Sequence, residues 1–114
     1  MPQVNINVGK VLSAQQKISL QLEVGNNMSI LPTKSIANTL INIIDSCTMF
    51  KNGEAIEGAF IDIRLFKASP EEAKAAFSAK IAEIVSQELG LAKEFVQINF
   101  IELEEWSSNG NYLH

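Results

Sequence analysis

Two five-residue stretches, Ile41-Asn42-Ile43-Ile44-Asp45 and Ile98-Asn99-Phe100-Ile101-Glu102, determine the interpretation of the fold. They begin 57 positions apart (98 − 41), which is half of the 114 residues in the chain. The same offset aligns residues 4–8 (Val-Asn-Ile-Asn-Val) with residues 61–65 (Ile-Asp-Ile-Arg-Leu), and their apolar positions are in phase. Alternation with a period of two is typical of a strand with one buried face. The sequence therefore predicts two βαβ repeats.

These repeats divide a chain of single-domain length. A mass of 12.5 kDa, with 46% hydrophobic and 19% charged residues, is typical of one globular domain. We therefore predict a single domain over residues 1–114, with repeats at about residues 1–57 and 58–114.

The second repeat carries clear signals for each of its elements. Alternation predicts strands over residues 58–66 and 95–103. Between them, the Ser-Pro-Glu-Glu run at 69–72 predicts a helix start, with Ser69 as the N-cap of a capping box. Gly90 predicts the end of that helix. Apolar residues at helical spacing predict its buried face: Phe77, Ile81, Ile84, Val85 and Leu89.

The first repeat supports two interpretations. Residues 17–24 alternate like a strand, yet the same region carries a stripe with helical spacing. The offset of 57 pairs this region with the helix of the second repeat, so we predict a helix at about 13–30 and a strand at about 38–48. The alternative, a strand at 17–24 and a helix at 34–47, gives an unrelated α+β fold, for instance a ferredoxin-like one. The helical stripe consists of Ala14, Ile18, Leu22, Gly25 and Met28.

Composition excludes several classes of function. Nine basic residues against 13 acidic ones give a net charge of −4, and the basic residues are scattered, so no nucleic-acid partner is predicted. No apolar run approaches the ~18 residues of a membrane span, so no membrane partner is predicted. A single cysteine, Cys47, cannot form an internal disulfide and suits a cytoplasmic protein. Phosphate-loop and zinc motifs are absent from the sequence, so we predict neither a cofactor nor a metal.

The Met-Pro start, the two βαβ halves and the length resemble the tautomerase superfamily. Residues 49–65, with the Asn52-Gly53 turn signal, resemble its 5-carboxymethyl-2-hydroxymuconate isomerases. The segment Val-Gln-Ile-Asn-Phe at 96–100 resembles Val-Tyr-Ile-Asn-Tyr of macrophage migration inhibitory factor. The resemblance implies an α+β fold with one four-stranded sheet and two helices on one face. It also implies a homotrimer with active sites at subunit boundaries.

In this family the chemistry would depend on Pro2. Once Met1 is removed, proline carries a secondary amine, and burial lowers the pKa of an amine because it disfavours the charged form. A base with a pKa near neutrality can take a proton alpha to a carbonyl and return it elsewhere. The predicted reaction is keto–enol isomerisation of a small keto acid. If Met1 stays attached, the nitrogen of Pro2 belongs to an amide and has no basicity.

The resemblance also implies substrate-binding residues. Asn99 matches a pocket asparagine of the inhibitory factor, and a cation from Lys34, Arg64 or Lys67 would polarise the carbonyl. Alternatively, both lysines are solvated and Arg64 pairs with Asp62 or a neighbouring strand. The predicted pocket walls are Phe60, Phe66 and Trp106.

Other positions depart from the family. Asn38, Thr39 and Leu40 stand about where the muconate isomerases carry arginines, which favours a substrate with less negative charge, or no substrate. The alternative function is therefore a catalytically inactive oligomer that binds ligands or partners. Glu104 or Glu105 is a candidate proton shuttle, or else part of a solvated strand end.

Assembly is predicted from the sheet face that the helices leave open. A mixed polar and apolar face is best explained by contact with another subunit. The tail at 106–113, with an Asn109-Gly110 turn signal, is predicted to pack over a neighbouring subunit and help wall the pocket; the alternative is that it folds back on its own subunit. The open face is predicted to carry Asn5, Asn7, Asn42, Asp62, Arg64 and Asn99, together with Ile44, Phe60, Ile101 and Leu103.

Overall fold

The computed structural model of the protein describes residues 2–114; Met1, whose removal the predicted role of Pro2 requires, lies outside them. The elements are β1 (Pro2–Val8), α1 (Ala14–Asn26), β2 (Leu40–Ile44), β3 (Met49–Lys51), β4 (Glu54–Ile56), β5 (Ala59–Phe66), α2 (Glu71–Leu89), β6 (Val96–Leu103), β7 (Trp106–Ser108) and β8 (Asn111–Leu113). Short 3₁₀ turns lie at Met28–Ile30, Ile36–Asn38 and Lys93–Phe95.

Four strands form one mixed sheet in the order β2-β1-β5-β6. Strands β1 and β2 are parallel, β5 and β6 are parallel, and β1 and β5 are antiparallel at the centre. Each parallel pair is joined through one helix, so two βαβ units stand side by side. The predicted α+β class is confirmed, and so are the four predicted strands and two predicted helices, apart from a few residues at their ends.

The core lies between the sheet and the two helices, which contact each other. On the central strands the alternating apolar side chains of one face are fully buried, among them Ile6, Ile61 and Ile63. The predicted inner face of α2, from Phe77 to Leu89, is buried as well. At roughly 25 cal/mol per Å² of buried apolar surface, this layer supplies most of the free energy that stabilises the fold.

The buried face of α1 differs from the prediction. Ile18 and Leu22 of the predicted stripe are 51% and 44% exposed, whereas the buried residues of α1 are Leu20, Val24 and Gly25. Two apolar stripes run along this helix, and contact with the sheet selects one of them. Gly25 belongs to both stripes, and a Cβ there would lie 2.6 Å from the Cδ1 atom of Ile36, so glycine allows the 3₁₀ turn to approach.

The start of α2 also differs from the prediction. Pro70, not Ser69, is the N-cap, and no side chain caps it. The N–H of Ser69 instead donates to the Glu102 carboxylate at 2.6 Å, so a neighbouring strand supplies the acceptor. A full capping box is present at α1, between Ser13 and Gln16. At the other end of α2, Gly90 has φ +67°, as its predicted role requires.

The offset of 57 extends to contacts that sequence analysis did not find. Glu102 accepts from the N–H of Ser69 and from Lys74 at the start of α2. Asp45 accepts from the N–H of Leu12 and faces Lys17 at 3.4 Å at the start of α1. These three pairs of positions are each 57 apart (102 − 45, 69 − 12 and 74 − 17). In both repeats, a carboxylate from the end of the second strand or just after it therefore accepts a backbone hydrogen bond and faces a lysine at the start of the helix.

Two hairpins follow the same offset. The β3–β4 turn contains Asn52 and Gly53, with φ of +53° and +77°, and the β7–β8 turn contains Asn109 and Gly110, with the same two angles. Positive φ at both central residues is the reason for the Asn-Gly pair. The first predicted turn is confirmed, but it closes an additional hairpin between β2 and β5. None of the helices formed by residues 2–114 is long and apolar enough to span a membrane.

Candidate active site

Pro2 is buried at the start of β1, in a cleft of about 500 Å³ that we call the Pro2 cleft. Register pairs Pro2 with Leu65 near the end of β5, so the start of β1 meets the ends of β5 and β6 at one edge of the sheet. Because β2 runs parallel to β1, the segment before β2 reaches this edge too. The cleft is lined by Pro2, Gln3, Asn38, Leu40, Trp106, Ser107, Ser108 and Asn109.

A second cleft of about 500 Å³ adjoins the first, and Asn38 lines both. The β7–β8 hairpin spans the two, since Trp106 lines the Pro2 cleft and Leu113 lines the second one. We call this second space the lysine cleft. Its lining comprises Pro32, Thr33, Lys34, Asn38, Phe66, Lys67, Ala68, Ser69, Pro70 and Leu113.

Lys34 is half-buried in the lysine cleft. Its ammonium group donates to the carbonyl oxygen of Phe66 at 3.3 Å. Within residues 2–114 no carboxylate forms an ion pair with it. The loop that carries it is held by Asn38, whose side chain accepts from the N–H of Ser35 and donates to the carbonyl of Thr33. Lys34 therefore presents a positive charge beside the Pro2 cleft.

Lys67 lines the same cleft, but its charge is already paired. Its ammonium nitrogen lies 3.0 Å from a carboxylate oxygen of Glu104 and 5.2 Å from the ring centroid of Phe66. Glu104 is thus an ion-pair partner in this structure. The predicted wall residue Phe66 lies in the lysine cleft, whereas Trp106 lies in the Pro2 cleft.

Arg64 and Asn99 line neither of these two clefts, although register places Arg64 opposite Gln3, next to Pro2. Arg64 forms the alternative pairing considered above, with its Nε 3.2 Å from the Asp62 carboxylate, and it lines neither cleft. Asn99 pairs in register with Asp62 on the open face of the sheet. It lies two strands from β1 and three register positions before Glu102, which is roughly 10 Å along the strand. One chain does not bring Asn99 to Pro2.

The open face carries the predicted mixture of side chains. Register places Asn42, Asn5, Asp62 and Asn99 in one row that crosses all four strands. The side-chain oxygen of Asn99 is buried and accepts no hydrogen bond from residues 2–114. Buried polar atoms are rarely left unpaired in native proteins. Large apolar residues flank the row and are exposed: Leu40, Ile44, Phe60 and Ile101.

A third cleft, which we call the Phe60 cleft, lies at the opposite edge of the sheet. It has a volume of about 580 Å³ and contains the predicted wall residue Phe60, far from Pro2. Its lining comprises Met49, Phe50, Lys51, Ile56, Ala59, Phe60, Glu94, Phe95 and Gln97.

Sequence analysis missed the contributions of Thr33 and Asn38. The tail at 106–113, which the sequence predicts as part of a pocket wall, lines both clefts of its own subunit through Trp106 and Leu113. The rule that the segment before β2 shares an edge with the start of β1 places Asn38 at the site. The recurrence of Asn-Gly at positions 52 and 109, again 57 apart (109 − 52), predicts a hairpin beside Pro2. No comparable signal was available for Thr33, which has φ +66°.

Solved structures share this fold over nearly the whole chain. Leishmania major MIF2 is 16% identical and covers 99% of this chain and 97% of its own, with a TM-score of 0.92. A wild-type asymmetric trimer of R7 fused 4-OT is 14% identical, with coverage of 96% and 94% and a TM-score of 0.84. Pt0534 inactivated by 2-oxo-3-pentynoate is 15% identical, with coverage of 89% and 85% and a TM-score of 0.80.

No family model and no curated protein matches the sequence. The structural likeness confirms the resemblance at the level of the fold. The chain has the fold of the macrophage migration inhibitory factor and tautomerase structures.

Proposed function

We propose that the protein is a tautomerase-like isomerase of small keto acids, with Pro2 as its general base. The observation that carries this proposal is the burial of Pro2 in a cleft at the sheet edge, with Trp106 in its wall. Burial disfavours the charged amine, which keeps the nitrogen free to accept a proton near neutral pH. The structure of Pt0534 inactivated by a 2-oxo acid supports this substrate class on the same fold.

In the proposed reaction the nitrogen of Pro2 takes a proton from the carbon alpha to the carbonyl. The electron pair of the broken C–H bond forms a C=C bond, the π pair of the carbonyl moves to its oxygen, and the proton returns from Pro2 to that oxygen to give the enol. Lys34 lies in the adjoining cleft and carries no paired carboxylate among the described residues, so it binds the substrate carboxylate. One such cation suits a substrate with a single carboxylate.

The assembly that fits this site is a homotrimer in which a neighbouring copy supplies Asn99. Asn99 lies too far from Pro2 within one chain, and its side-chain oxygen lacks a donor among residues 2–114. The exposed apolar residues beside it give a second copy a surface to cover. The solved trimer of R7 fused 4-OT supports this assembly. A protein that sediments as a monomer at micromolar concentration would refute it.

The catalytic proposal is tested at the amino terminus. Mass spectrometry of the native protein is expected to show loss of Met1. With phenylpyruvate as substrate, Pro2→Ala is expected to lower the rate of enol–keto exchange at least about 100-fold, the lower range for a general base. Gln15→Ala, an exposed change on α1, serves as the control and retains the rate. Retained methionine, or a Pro2→Ala variant as fast as the parent, contradicts the proposal.

The pairing of charges favours a second candidate. Among residues 2–114, Arg64 and Lys67 both pair with carboxylates, which leaves Lys34 as the cation available in the two clefts. A ligand-binding oligomer without turnover fits this arrangement. Calorimetric binding of phenylpyruvate by a protein that lacks Met1, with no exchange, would favour this candidate over the isomerase.

A further inference from the structure

Lys67 differs from the equivalent residue of the first repeat in its backbone conformation and in its side-chain contacts. Its φ is +69°, a left-handed conformation that is uncommon outside glycine. Most other residues with positive φ occur in pairs 57 positions apart: Asn52 with Asn109 and Thr33 with Gly90. The counterpart of Lys67 is Lys10 (67 − 57), which has an ordinary φ and donates to the carbonyl of Leu89. Conformations of this kind persist where the surrounding contacts fix them, often at functional sites.

Besides its cation–π contact with Phe66, Lys67 contacts the segment that leads into the β7–β8 hairpin through its backbone and through its side chain. Its backbone N–H donates to the carbonyl of Leu103 at 2.7 Å, and its ammonium group binds the Glu104 carboxylate at 3.0 Å. Glu104 lies two residues before Trp106. The left-handed conformation thus turns one residue so that both its backbone and its side chain hold the base of the hairpin.

The two strands of this hairpin pair with each other, and within residues 2–114 neither forms a ladder with the four-stranded sheet. The position of the hairpin nevertheless shapes both clefts, because Trp106 lines one and Leu113 lines the other. A change in the ion pair at its base therefore changes the wall beside Pro2.

We propose that Lys67 is a positioning residue that holds the β7–β8 hairpin, and with it Trp106, against the Pro2 cleft through Glu104. This role rests on the proposed function in that the Pro2 cleft is taken as the active site. It assigns Lys67 to the wall of that site and leaves Lys34 to bind the substrate carboxylate. Because this ion pair is exposed, it shifts the equilibrium between a docked and an open hairpin and does not fix the hairpin in one position.

The test uses the fluorescence of Trp106, the single tryptophan in the chain. Lys67→Met and Glu104→Gln each remove one charge and are expected to raise the open-to-docked ratio about two- to fivefold, the range that an exposed ion pair supports. The readouts are a red shift of the emission and stronger quenching by acrylamide, a neutral quencher. The charge swap Lys67→Glu with Glu104→Lys is expected to return both readouts toward the parent. Lys17→Met, which breaks an exposed pair in the other repeat, is expected to change neither.

Lys67→Gly separates positioning from general stability. Glycine adopts positive φ without strain, so the melting temperature is expected to rise or hold while quenching of Trp106 increases. Unchanged quenching in Lys67→Met and Glu104→Gln would overturn the proposal, and so would a swap that stays as accessible as the single variants. None of these readouts needs turnover. An inactive protein with the expected quenching overturns the catalytic proposal and leaves the positioning of Trp106 standing.

Discussion

The start of β1 and the start of β5 are equivalent places in the two repeats, and they have become different sites. Pro2 begins β1 beside the β7–β8 hairpin, and Ala59, 57 positions later (59 − 2), begins β5 beside the β3–β4 hairpin. Each lines a cleft, with Trp106 in one and its counterpart Met49 in the other. The nitrogen of Ala59 is an amide in mid-chain, whereas that of Pro2 becomes an amine when Met1 is removed. The two repeats offer equivalent positions, and under the proposed function the removal of Met1 gives Pro2 an amine that Ala59 lacks.

The prediction with the largest expected effect tests whether the cores of the two repeats contribute equally to the free energy of unfolding. Ile6 and Ile63 are 57 positions apart (63 − 6), belong to the two central strands and are both fully buried. Ile6→Ala and Ile63→Ala are each expected to lower the free energy of unfolding by about 2–5 kcal/mol, through lost burial and the cavity left behind. Urea denaturation measures both.

The matched control for this pair lies on the other face of the sheet. Ile101 is 37% exposed, and Ile101→Ala in the isolated subunit is expected to cost well under half as much. A difference of more than about 2 kcal/mol between Ile6→Ala and Ile63→Ala would break the equivalence of the repeats.

The strands could be predicted from the sequence because alternation is a local signal that burial on one face imposes on each strand. The inner face of α1 could not, since two apolar stripes satisfy the same periodicity and only the sheet distinguishes Leu20 from Ile18. Ser69 was misassigned for a similar reason. A local cap pattern competes with a carboxylate from β6, which is distant in sequence.

The family resemblance identifies Pro2 as a candidate, and the structure shows which elements surround it. The clefts combine the start of β1, the segment before β2 and the hairpin after β6. No single stretch of sequence encodes that combination. The neutralised charge of Lys67 depends on Glu104, 37 positions away, and composition alone gives no sign of it.

The next largest effect concerns the row of polar residues on the open face. Asn42 and Asn99 are equivalent positions (99 − 42 = 57), but Asn42 is exposed and Asn99 has a buried oxygen without a donor among residues 2–114. Asn99→Ala is expected to weaken self-association by about 1–3 kcal/mol per subunit, the cost of losing a buried hydrogen bond across the interface. Sedimentation equilibrium measures it, with Asn42→Ala as the matched control. Equal association of both variants would show that no partner subunit donates to Asn99.

The prediction with the smallest expected effect compares Asp45 and Glu102, the carboxylates that accept hydrogen bonds at the starts of the two helices. The N–H of Leu12 is the main cause that holds the pKa of Asp45 below its ordinary value of 3.8; burial opposes it, and the ammonium of Lys17 lowers the pKa further. Lys74 and the N–H of Ser69 hold the pKa of Glu102 below its ordinary value of 4.5. A carboxyl whose pKa is lower in the folded state stabilises the fold above its unfolded pKa, and that stability is lost as the pH falls through the folded pKa.

Both carboxylates are therefore expected to contribute fully at neutral pH and to lose their contribution below about pH 4.5. Asp45→Asn and Glu102→Gln should each flatten the decline in the urea midpoint between neutral and acidic pH. The flattening should be greater for Glu102, whose oxygen lies 2.9 Å from the ammonium of Lys74, than for Asp45, which lies 3.4 Å from that of Lys17. Parallel acid profiles for parent and variants would mean that neither contact survives in solution. If Asp45→Asn flattened the pH profile more than Glu102→Gln, the order would be reversed. The stronger carboxylate contact at a helix start would then lie in the repeat that carries Pro2.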